Sequence, residues 1–297
     1  MIRIGIDLGG TKIEAVALAD DGSELVRVRV PSPRAYPDAL HAIAELVAQV
    51  EARAGGPGSV GVGIPGAISA TTGLVKNANS TWLIGHALDI DLAEHLGRPV
   101  RLQNDANCFT LSEAIDGAGA GANVVFGVIL GTGVGGGITV RSKMVEGVQL
   151  IAGEWGHNPL PWPSLTEVPG PECYCGLRGC IETFLSGPGM ERDHHTQTDE
   201  VRTTHEIAAA LDAGNPLARG TFARYVDRLA RGLATVINVL DPDVVVLGGG
   251  MSNLPGLAEA ASGALAPYVF TDEVTTRVLK NHHGDSSGVR GAAWLWP

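Results

Sequence analysis

The sequence predicts an α/β fold in which one structural pattern occurs twice. Residues 3–8, "RIGIDL", alternate apolar and polar or small side chains with the period of a β-strand. The glycine turn "GGTK" follows, and the second half repeats this order with "NVVFGVIL" and "GTGVGGG". Aligning "IGIDLGGT" with "FGVILGTG" matches a first strand and a glycine turn in both halves, which indicates an internal duplication.

The rest of the first half continues the strand pattern and then changes to a helical one. Two more strands are predicted over residues 13–19 and 25–30, separated by the turn signal "DDG". A helix is predicted from Asp38, as N-cap, to Gly55 and Gly56, because apolar residues recur at helical spacing between these positions. "SVGVGI" then forms a short strand.

The second half contains the longest predicted helix. "ITV" is predicted as a strand and "KMVEGVQL" as a further one, followed by a loop-rich insertion. Residues 216–240 then carry one apolar stripe at helical spacing. Asp241 and Pro242 end this helix, because a residue before proline is disfavoured in helical geometry. "VVVLGGG" is predicted as a buried strand.

These patterns divide the chain into two domains. We expect an N-terminal α/β domain over residues 1–115, rejoined by a C-terminal helix near residues 288–297. Residues 116–287 form the expected second domain.

Composition and charge exclude several classes of protein. The formal net charge of −11 over 297 residues argues against nucleic-acid binding, which needs clustered Lys and Arg. The sequence shows neither a signal-peptide pattern nor an apolar run long enough to span a membrane. We therefore expect a soluble cytoplasmic protein without nucleic-acid or membrane partners.

The two glycine turns are candidate phosphate-binding loops. "GTGVGG" fits the dinucleotide fingerprint, but a strand follows it where that fingerprint requires a helix. A glycine-rich turn between strands can bind phosphate through backbone N–H groups, although a single such turn is more often an ordinary hairpin. Asp7 precedes the first turn, whereas Ile129 stands at the matching position of the second. One carboxylate beside two phosphate loops suggests a Mg²⁺ site completed by water and phosphate oxygens.

A polar pair, Asn104 and Asp105, follows the predicted strand "VRLQ". Ligands tend to bind at the carboxyl ends of strands in α/β sheets. An isolated Asp at this position is more often a helix N-cap. Both interpretations of Asp105 stay open on the residues alone.

Three of the four cysteines lie in "CYCGLRGC", residues 173–180. Three thiols leave one unpaired in any disulfide scheme, but they suit a tetrahedral zinc site with a histidine as fourth ligand. The C-x-C-x₄-C spacing is not the usual zinc-finger spacing. Cys108 is predicted to be a small buried apolar residue.

Taken together, "DLGGTK", "NDAN", "EWGH", "GTGVGGG", "VVVLGGGM", the cysteine cluster and "HGDSSGVRGAA" resemble the ROK family of bacterial sugar kinases across nearly the whole chain. The resemblance implies duplicated actin-like ATPase, or ribonuclease H-like, domains with an interdomain cleft. It also implies ATP and Mg²⁺ as cofactors, a structural Zn²⁺, hexose and ATP as small-molecule partners, and a homodimer.

The resemblance assigns roles to particular residues. Asp105 matches the general base, and His157 matches the zinc-binding histidine beside the cysteines. Asp7 would hold Mg²⁺, through water. The implied sugar-binding residues are Gly66, Asn79, Asn104, Asp105, Glu154, His157 and Glu182. The implied ATP- and phosphate-binding residues are Asp7, Gly9, Gly10, Thr11, Lys12, Gly131, Thr132, Gly133, Gly248, Gly249 and Gly250. The implied zinc ligands are His157, Cys173, Cys175 and Cys180.

Within the family, the chain most resembles fructokinases that also accept mannose, through "VKNANSTW", "GHNPLPW" and "HGDSSGVRGAAWLWP". This implies phosphorylation of fructose to fructose 6-phosphate. The alternative is a glucokinase or an N-acetylhexosamine kinase. A sugar-responsive ROK regulator is more remote, because the first phosphate strand begins at residue 2 and the charge is acidic. A noncatalytic sugar-binding protein would lack Asp7 or Asp105, and both are present.

Overall fold

The computed structural model describes residues 1–78 and 80–297. These residues form two compact units. The first unit comprises Met1–Ala120, Gly137–Ala152 and Asp285–Pro297, and the second comprises Gly121–Gly136 and Gly153–Gly284. Two five-stranded sheets with flanking helices confirm the α/β prediction.

The first sheet has the strand order β3-β2-β1-β4-β7. β1, β2 and β3 are antiparallel neighbours, whereas β4 and β7 continue the sheet in parallel to β1. A two-stranded ribbon, β5-β6, follows β4. The bounds are β1 Ile2–Leu8, β2 Lys12–Leu18, β3 Glu24–Pro31, α1 Tyr36–Ala54, β4 Gly58–Ile64, β5 Ala67–Ile68, β6 Val75–Lys76, α2 Leu88–Leu96, β7 Val100–Asn104 and α3 Asp105–Ile115.

Helix α1 covers one face of the first sheet. Its apolar stripe, which includes Ile43 and Val47, packs against Ile4 and Ile6 of β1 in one buried cluster. The helix begins at Tyr36 with Ala35 as N-cap, so the predicted N-cap at Asp38 is wrong. A proline early in the first turn explains the earlier start, because its fixed φ suits that position.

The second sheet has the strand order β10-β9-β8-β11-β12, and it repeats the arrangement of the first. β8, β11 and β12 are parallel neighbours. The bounds are β8 Val124–Leu130, β9 Val134–Val140, β10 Lys143–Met144, α4 Ile181–Leu185, α5 Gly187–Thr198, α6 Thr204–Asp212, α7 Pro216–Leu240, β11 Val244–Gly248, α8 Leu257–Gly263, β12 Arg277–Lys280 and α9 Ser287–Ala293.

Helix α9 closely approaches the first sheet at two glycines. A Cβ atom at Gly5 would lie 2.0 Å from the carbonyl oxygen of Val289, and one at Gly61 would lie 2.0 Å from that of Ala292. Only glycine permits this approach of a helix backbone to β1 and β4. Asp285–Pro297 thereby pack onto the N-terminal strands, where they lie beside Asp7.

The sequence predicted α7 to the residue and the second glycine turn only in part. α7 spans Pro216–Leu240, and its buried face includes Tyr225, Leu229 and Leu233. β9 begins at Val134, so the later glycines of "GTGVGGG" are strand and not turn. Of "KMVEGVQL", only Lys143–Met144 form a strand. Among the described helices, none combines the length and apolar character needed to cross a membrane.

Candidate active site

The carboxyl end of β7 presents Asn104 and Asp105. Asn104 is the N-cap of α3, because its Oδ1 accepts from the N–H of Ala106 at 2.9 Å. The Nδ2 group of Asn104 donates to the carbonyl of Gly66 at 2.8 Å. Asp105 is therefore the first helical residue and not the cap, although its Oδ1 also accepts from the N–H of Ala106. The alternative reading of Asp105 as the N-cap is wrong.

Gly66 has a positive φ of 79°, and a Cβ atom there would lie 2.4 Å from the carbonyl oxygen of Lys76. Glycine is required at this position, which fixes the backbone that Asn104 contacts. The structure thus brings Gly66, Asn104 and Asp105 together. Asn79, the other sugar-binding residue predicted in this region, lies outside the described residues.

The first glycine loop connects β1 to β2. The Gly9 N–H donates to the Lys12 carbonyl at 3.0 Å and closes a tight turn. Gly10, Thr11 and Lys12 are exposed at its tip. Asp7 is partly buried at the end of β1, and Cβ at Gly288 would lie 4.0 Å from its carboxylate. The loop therefore offers backbone N–H groups and one carboxylate to a ligand.

A buried carboxylate stands beside Asp7. Glu14 is directly opposite Asp7 in the β1–β2 register and is only 1% exposed. Arg27 and Arg29 lie 2.5 Å and 2.8 Å from its carboxylate, and Lys12 lies 3.6 Å away. Burial and, next, the charge of Glu14 raise the pKa of Asp7 to about 6, whereas Lys12 acts in the opposite direction.

The second glycine loop connects β8 to β9. The Gly131 N–H donates to the Gly133 carbonyl at 2.9 Å, while Thr132 is exposed at the tip. Gly249 has a φ of 79°, and a Cβ atom there would lie 2.4 Å from the carbonyl oxygen of Leu130. Gly248 pairs with Ile129 in the β8–β11 register, so the structure brings Gly248 and Gly249 against the start of this loop.

Glu182 contacts this second loop directly. Its Oε2 accepts a hydrogen bond from the N–H of Val134 at 2.9 Å. A Cβ atom at Gly133 would lie 2.7 Å from the same oxygen. The sequence predicted Glu182 only as a sugar contact, and this backbone contact was not foreseen.

His157, Cys173, Cys175 and Cys180 form a cluster that can hold a metal ion. Their ligand atoms all lie within 4.8 Å of one another. The Sγ atoms of Cys175 and Cys180 are 3.6 Å apart, and Cys173 Sγ is 3.6 Å from His157 Nδ1. A disulfide would need about 2.05 Å. Zinc–sulfur bonds of about 2.3 Å in a tetrahedron separate the sulfurs by about 3.8 Å, so the cluster fits zinc.

The three thiols of the cysteine loop differ in their environment. The Leu177 backbone N–H lowers the pKa of the exposed Cys175 thiol. Burial raises the pKa of Cys180 to about 12 and also raises that of Cys173. A divalent cation would reverse the effect on the buried pair, because a coordinating thiol is deprotonated.

Tyr174 contacts Nε2 of His157, the ring nitrogen that does not face Cys173. The hydroxyl of Tyr174 lies 3.0 Å from His157 Nε2, and the two rings meet edge to face. The sequence analysis implied a sugar contact for His157 and did not single out Tyr174. Burial, followed by the charges of Glu182 and Glu154, raises the pKa of Tyr174 to about 12.

The segment that carries Glu154 and His157 packs onto the second sheet. Trp155 is buried, donates from Nε1 to the Gly135 carbonyl at 3.0 Å, and meets Phe126 edge to face. Glu154 itself is exposed. The structure thus fixes the backbone on which Glu154 and His157 stand against the strand that leaves the second glycine loop.

An ion-pair network holds the proline-rich segment between His157 and Cys173. Glu167 bonds Arg228 at 2.7 Å and Arg231 at 2.9 Å, and all three are buried. Burial opposes the charge of Glu167, but the two arginines overcome it and lower the pKa of Glu167 to about 2. A buried Glu167 with buried arginine partners could not be located from the sequence, because both arginines lie more than 60 positions away.

Comparison with known proteins agrees with this geometry. The chain belongs to the ROK family, whose profile matches residues 3–297. The sequence-based prediction of a ROK family sugar kinase with an actin-like two-domain fold is confirmed.

The chain is similar to proteins that include the following three relatives. An N-acetyl-D-glucosamine kinase of Shigella flexneri is 42% identical over 98% of both chains. The crystal structure of a ROK hexokinase from Thermus thermophilus has a TM-score of 0.87 at 33% identity, covering 99% of this chain and 97% of that one. A ROK family glucokinase from Streptomyces griseus, in complex with glucose and AMPPNP, has a TM-score of 0.81 at 27% identity, with 99% of both chains covered.

Proposed function

We propose that this protein is an ATP-dependent kinase of N-acetylglucosamine. The observation that carries the proposal is the 42% identity to N-acetyl-D-glucosamine kinase over 98% of both chains. The fold and the polar groups at the ends of β1, β7 and β8 are compatible with phosphoryl transfer to a sugar. The preference for fructose or mannose drawn from the sequence has no counterpart among the relatives reported above, and its stated alternative, a glucokinase or an N-acetylhexosamine kinase, fits them better.

Asp105 is proposed as the general base. Its carboxylate accepts the proton of the attacking sugar hydroxyl while that oxygen bonds to the γ-phosphorus of ATP. The bond from the γ-phosphorus to the β,γ-bridging oxygen breaks, and ADP leaves. Phosphoryl transfer depends mainly on positioning and charge stabilisation, so a carboxylate that holds the hydroxyl in line is sufficient. Asn104 and Gly66, which are bonded to each other, complete this part of the proposed sugar pocket.

The two glycine loops are proposed to bind the phosphates of ATP. Thr11 and Lys12 lie at the tip of the first loop and Thr132 at the tip of the second, while Gly248–Gly250 would lie beside the adenosine. Mg²⁺ bound to the phosphates would neutralise their charge, and Asp7 is proposed to hold it through water. The partly buried carboxylate of Asp7, with its raised pKa, fits a cation ligand.

His157, Cys173, Cys175 and Cys180 are proposed to bind a structural zinc ion. Four protein ligands leave no open position for catalysis, so such an ion acts as a cross-link. It would fix the backbone near Glu154 and Glu182, which are proposed to bind sugar hydroxyls together with His157. A sugar hydroxyl that bonds Nε2 of His157 would take the place of the Tyr174 hydroxyl. The proximity of the four ligand atoms supports this proposal.

The test is ADP formation from Mg·ATP with N-acetylglucosamine, N-acetylmannosamine, glucose, mannose and fructose, each measured as kcat/KM. We expect the highest value for N-acetylglucosamine. A glucokinase, for which the 27% identity to the Streptomyces griseus enzyme argues, would instead prefer glucose. An absence of sugar-dependent ADP formation would favour the regulator or the noncatalytic sugar-binding protein and contradict the proposal.

A further inference from the structure

Glu182 joins the metal-cluster loop to the second glycine loop. Its carboxylate accepts from the Val134 N–H, which is the first residue of β9 after the turn. The carboxylate also lies close to Gly133, because a Cβ atom at that position would be 2.7 Å from Oε2 of Glu182. A glycine at 133 therefore allows the carboxylate to reach the loop backbone.

A second bond holds the other end of the same loop. The N–H of Gly187, the first residue of α5, donates to the carbonyl of Gly131 at 2.8 Å. The segment from Glu182 to Gly187 thus contacts the loop both before and after its exposed tip at Thr132. A loop that is fixed at both ends presents its backbone N–H groups in one arrangement before the ligand arrives.

The same segment begins at a predicted metal ligand. Cys180 is the N-cap of α4, and its carbonyl accepts from the Thr183 hydroxyl at 2.7 Å and from the Thr183 N–H at 2.9 Å. Glu182 is the second residue of this helix. The position of its carboxylate therefore depends on the backbone that the cysteine cluster anchors.

We propose that Glu182 is a positioning residue for the nucleotide, which holds the second glycine loop in its phosphate-binding arrangement. This role is separate from its proposed contact with the sugar, and it rests on the proposed kinase function. It implies that the cysteine cluster supports nucleotide binding as well as sugar binding.

The test measures the affinity for a Mg²⁺-bound nonhydrolysable ATP analogue by calorimetry in the absence of sugar. We expect Glu182→Ala to weaken this affinity about tenfold, because a hydrogen bond to a charged group is lost. Glu182→Gln retains an acceptor oxygen and should stay within about threefold of wild type. Glu273→Ala is the matched control, since it removes an exposed carboxylate of the same unit to which no role in sugar or nucleotide binding is assigned, and the affinity for the analogue should be unchanged.

A double-mutant cycle provides the second readout. Gly133→Ala should weaken nucleotide binding because its Cβ meets the Glu182 carboxylate, and the loss should be smaller when Glu182 is already alanine. A folded Glu182→Ala variant with wild-type nucleotide affinity would overturn the proposal. So would a Gly133→Ala change that lowers nucleotide affinity by the same factor with and without the Glu182→Ala change. A wild-type protein that does not bind the nucleotide would instead contradict the proposed kinase function.

Discussion

The two halves of the molecule share one strand order and differ in the chemistry placed on it. Each five-stranded sheet carries a glycine turn after its first strand, at Gly9–Lys12 in the first sheet and at Gly131–Gly133 in the second. The first turn follows Asp7 and lies beside a network of charged side chains. At the matching position the second has Ile129, and its neighbouring carboxylate comes from Glu182, far along the chain.

This difference shows how a duplicated backbone can acquire two roles. The first half carries the proposed base and the proposed Mg²⁺ carboxylate, Asp105 and Asp7, each on or next to a strand end. The second half carries the cysteine cluster and Glu182, which are proposed to support the sugar and nucleotide sites. Substitutions in the first half should therefore alter kcat and the ionisation of the site. Substitutions in the second half should alter zinc content and the affinity for sugar and nucleotide.

The largest effect is expected from Asp105→Asn. The variant keeps the shape and the hydrogen bonds but cannot accept a proton, so kcat should fall by roughly 10²- to 10⁴-fold. The sugar Kd, measured by calorimetry, should change less. A folded variant that retains near-normal turnover would remove Asp105 from the role of base.

Cys175→Ser should release the metal. Loss of even an outer-shell partner lowers metal affinity by about 10- to 100-fold, so loss of a ligand should cost at least about a hundredfold. Wild type should contain about one zinc ion per chain by elemental analysis. We expect sugar affinity to fall most and nucleotide affinity to fall as well, through Glu182. Cys108→Ser is the control for zinc content, because Cys108 is buried in the first unit. Metal-free wild type with full activity would contradict a supporting role for zinc.

Asp7→Asn should stabilise the nucleotide-free and Mg²⁺-free protein. The pKa of Asp7 is about 6 when folded, above its ordinary value of 3.8, so the folded state binds the proton more tightly. The penalty for ionising Asp7 appears as pH rises from about 4 to 6, and it reaches about 3 kcal/mol at neutral pH.

In urea unfolding, Asp7→Asn should therefore have a higher free energy of unfolding than wild type at pH 7.5, and this difference should disappear near pH 4. Asp272→Asn, an exposed control, should show neither effect. Asp7→Asn should also weaken Mg·ATP use and leave the zinc content unchanged. A loss of zinc in parallel would mean that Asp7 acts on folding.

The smallest effect is expected from Tyr174→Phe. The hydroxyl of Tyr174 lies 3.0 Å from Nε2 of His157 and orients the ring so that Nδ1 faces Cys173. Chelator competition should show zinc affinity about tenfold lower. Tyr268→Phe, which loses a hydroxyl bonded to Asp227, should retain wild-type zinc affinity. Equal affinities for the two variants would show that the Tyr174 hydroxyl does not orient His157.

The sequence predicted those features that depend on local pattern. The strand β1, the helix α7 and the division of each half into strands around a glycine turn follow from periodicity and turn residues. Cys108 is buried as predicted. His194 is buried in α5 against Thr221, and no local pattern indicates this contact, because the two residues are 27 positions apart.

Features that depend on contacts between distant residues were not predicted. The Glu182 bond to Val134 spans 48 positions, and no local pattern indicates it. Tyr174 lies between two predicted ligands and could have been noticed, since an outer hydrogen bond to a metal-binding histidine is general. Glu14 also carried a signal, because it interrupts the apolar strand "KIEAVAL" opposite Asp7.

The proposed function is tested most directly by competition in one reaction. Equimolar N-acetylglucosamine and fructose are incubated with limiting Mg·ATP, and the phosphorylated products are identified by phosphorus-31 NMR. Our account predicts N-acetylglucosamine phosphate as the main product, with most of the fructose left unchanged. Fructose phosphate as the main product would contradict it and restore the fructokinase assignment that the sequence motifs first favoured.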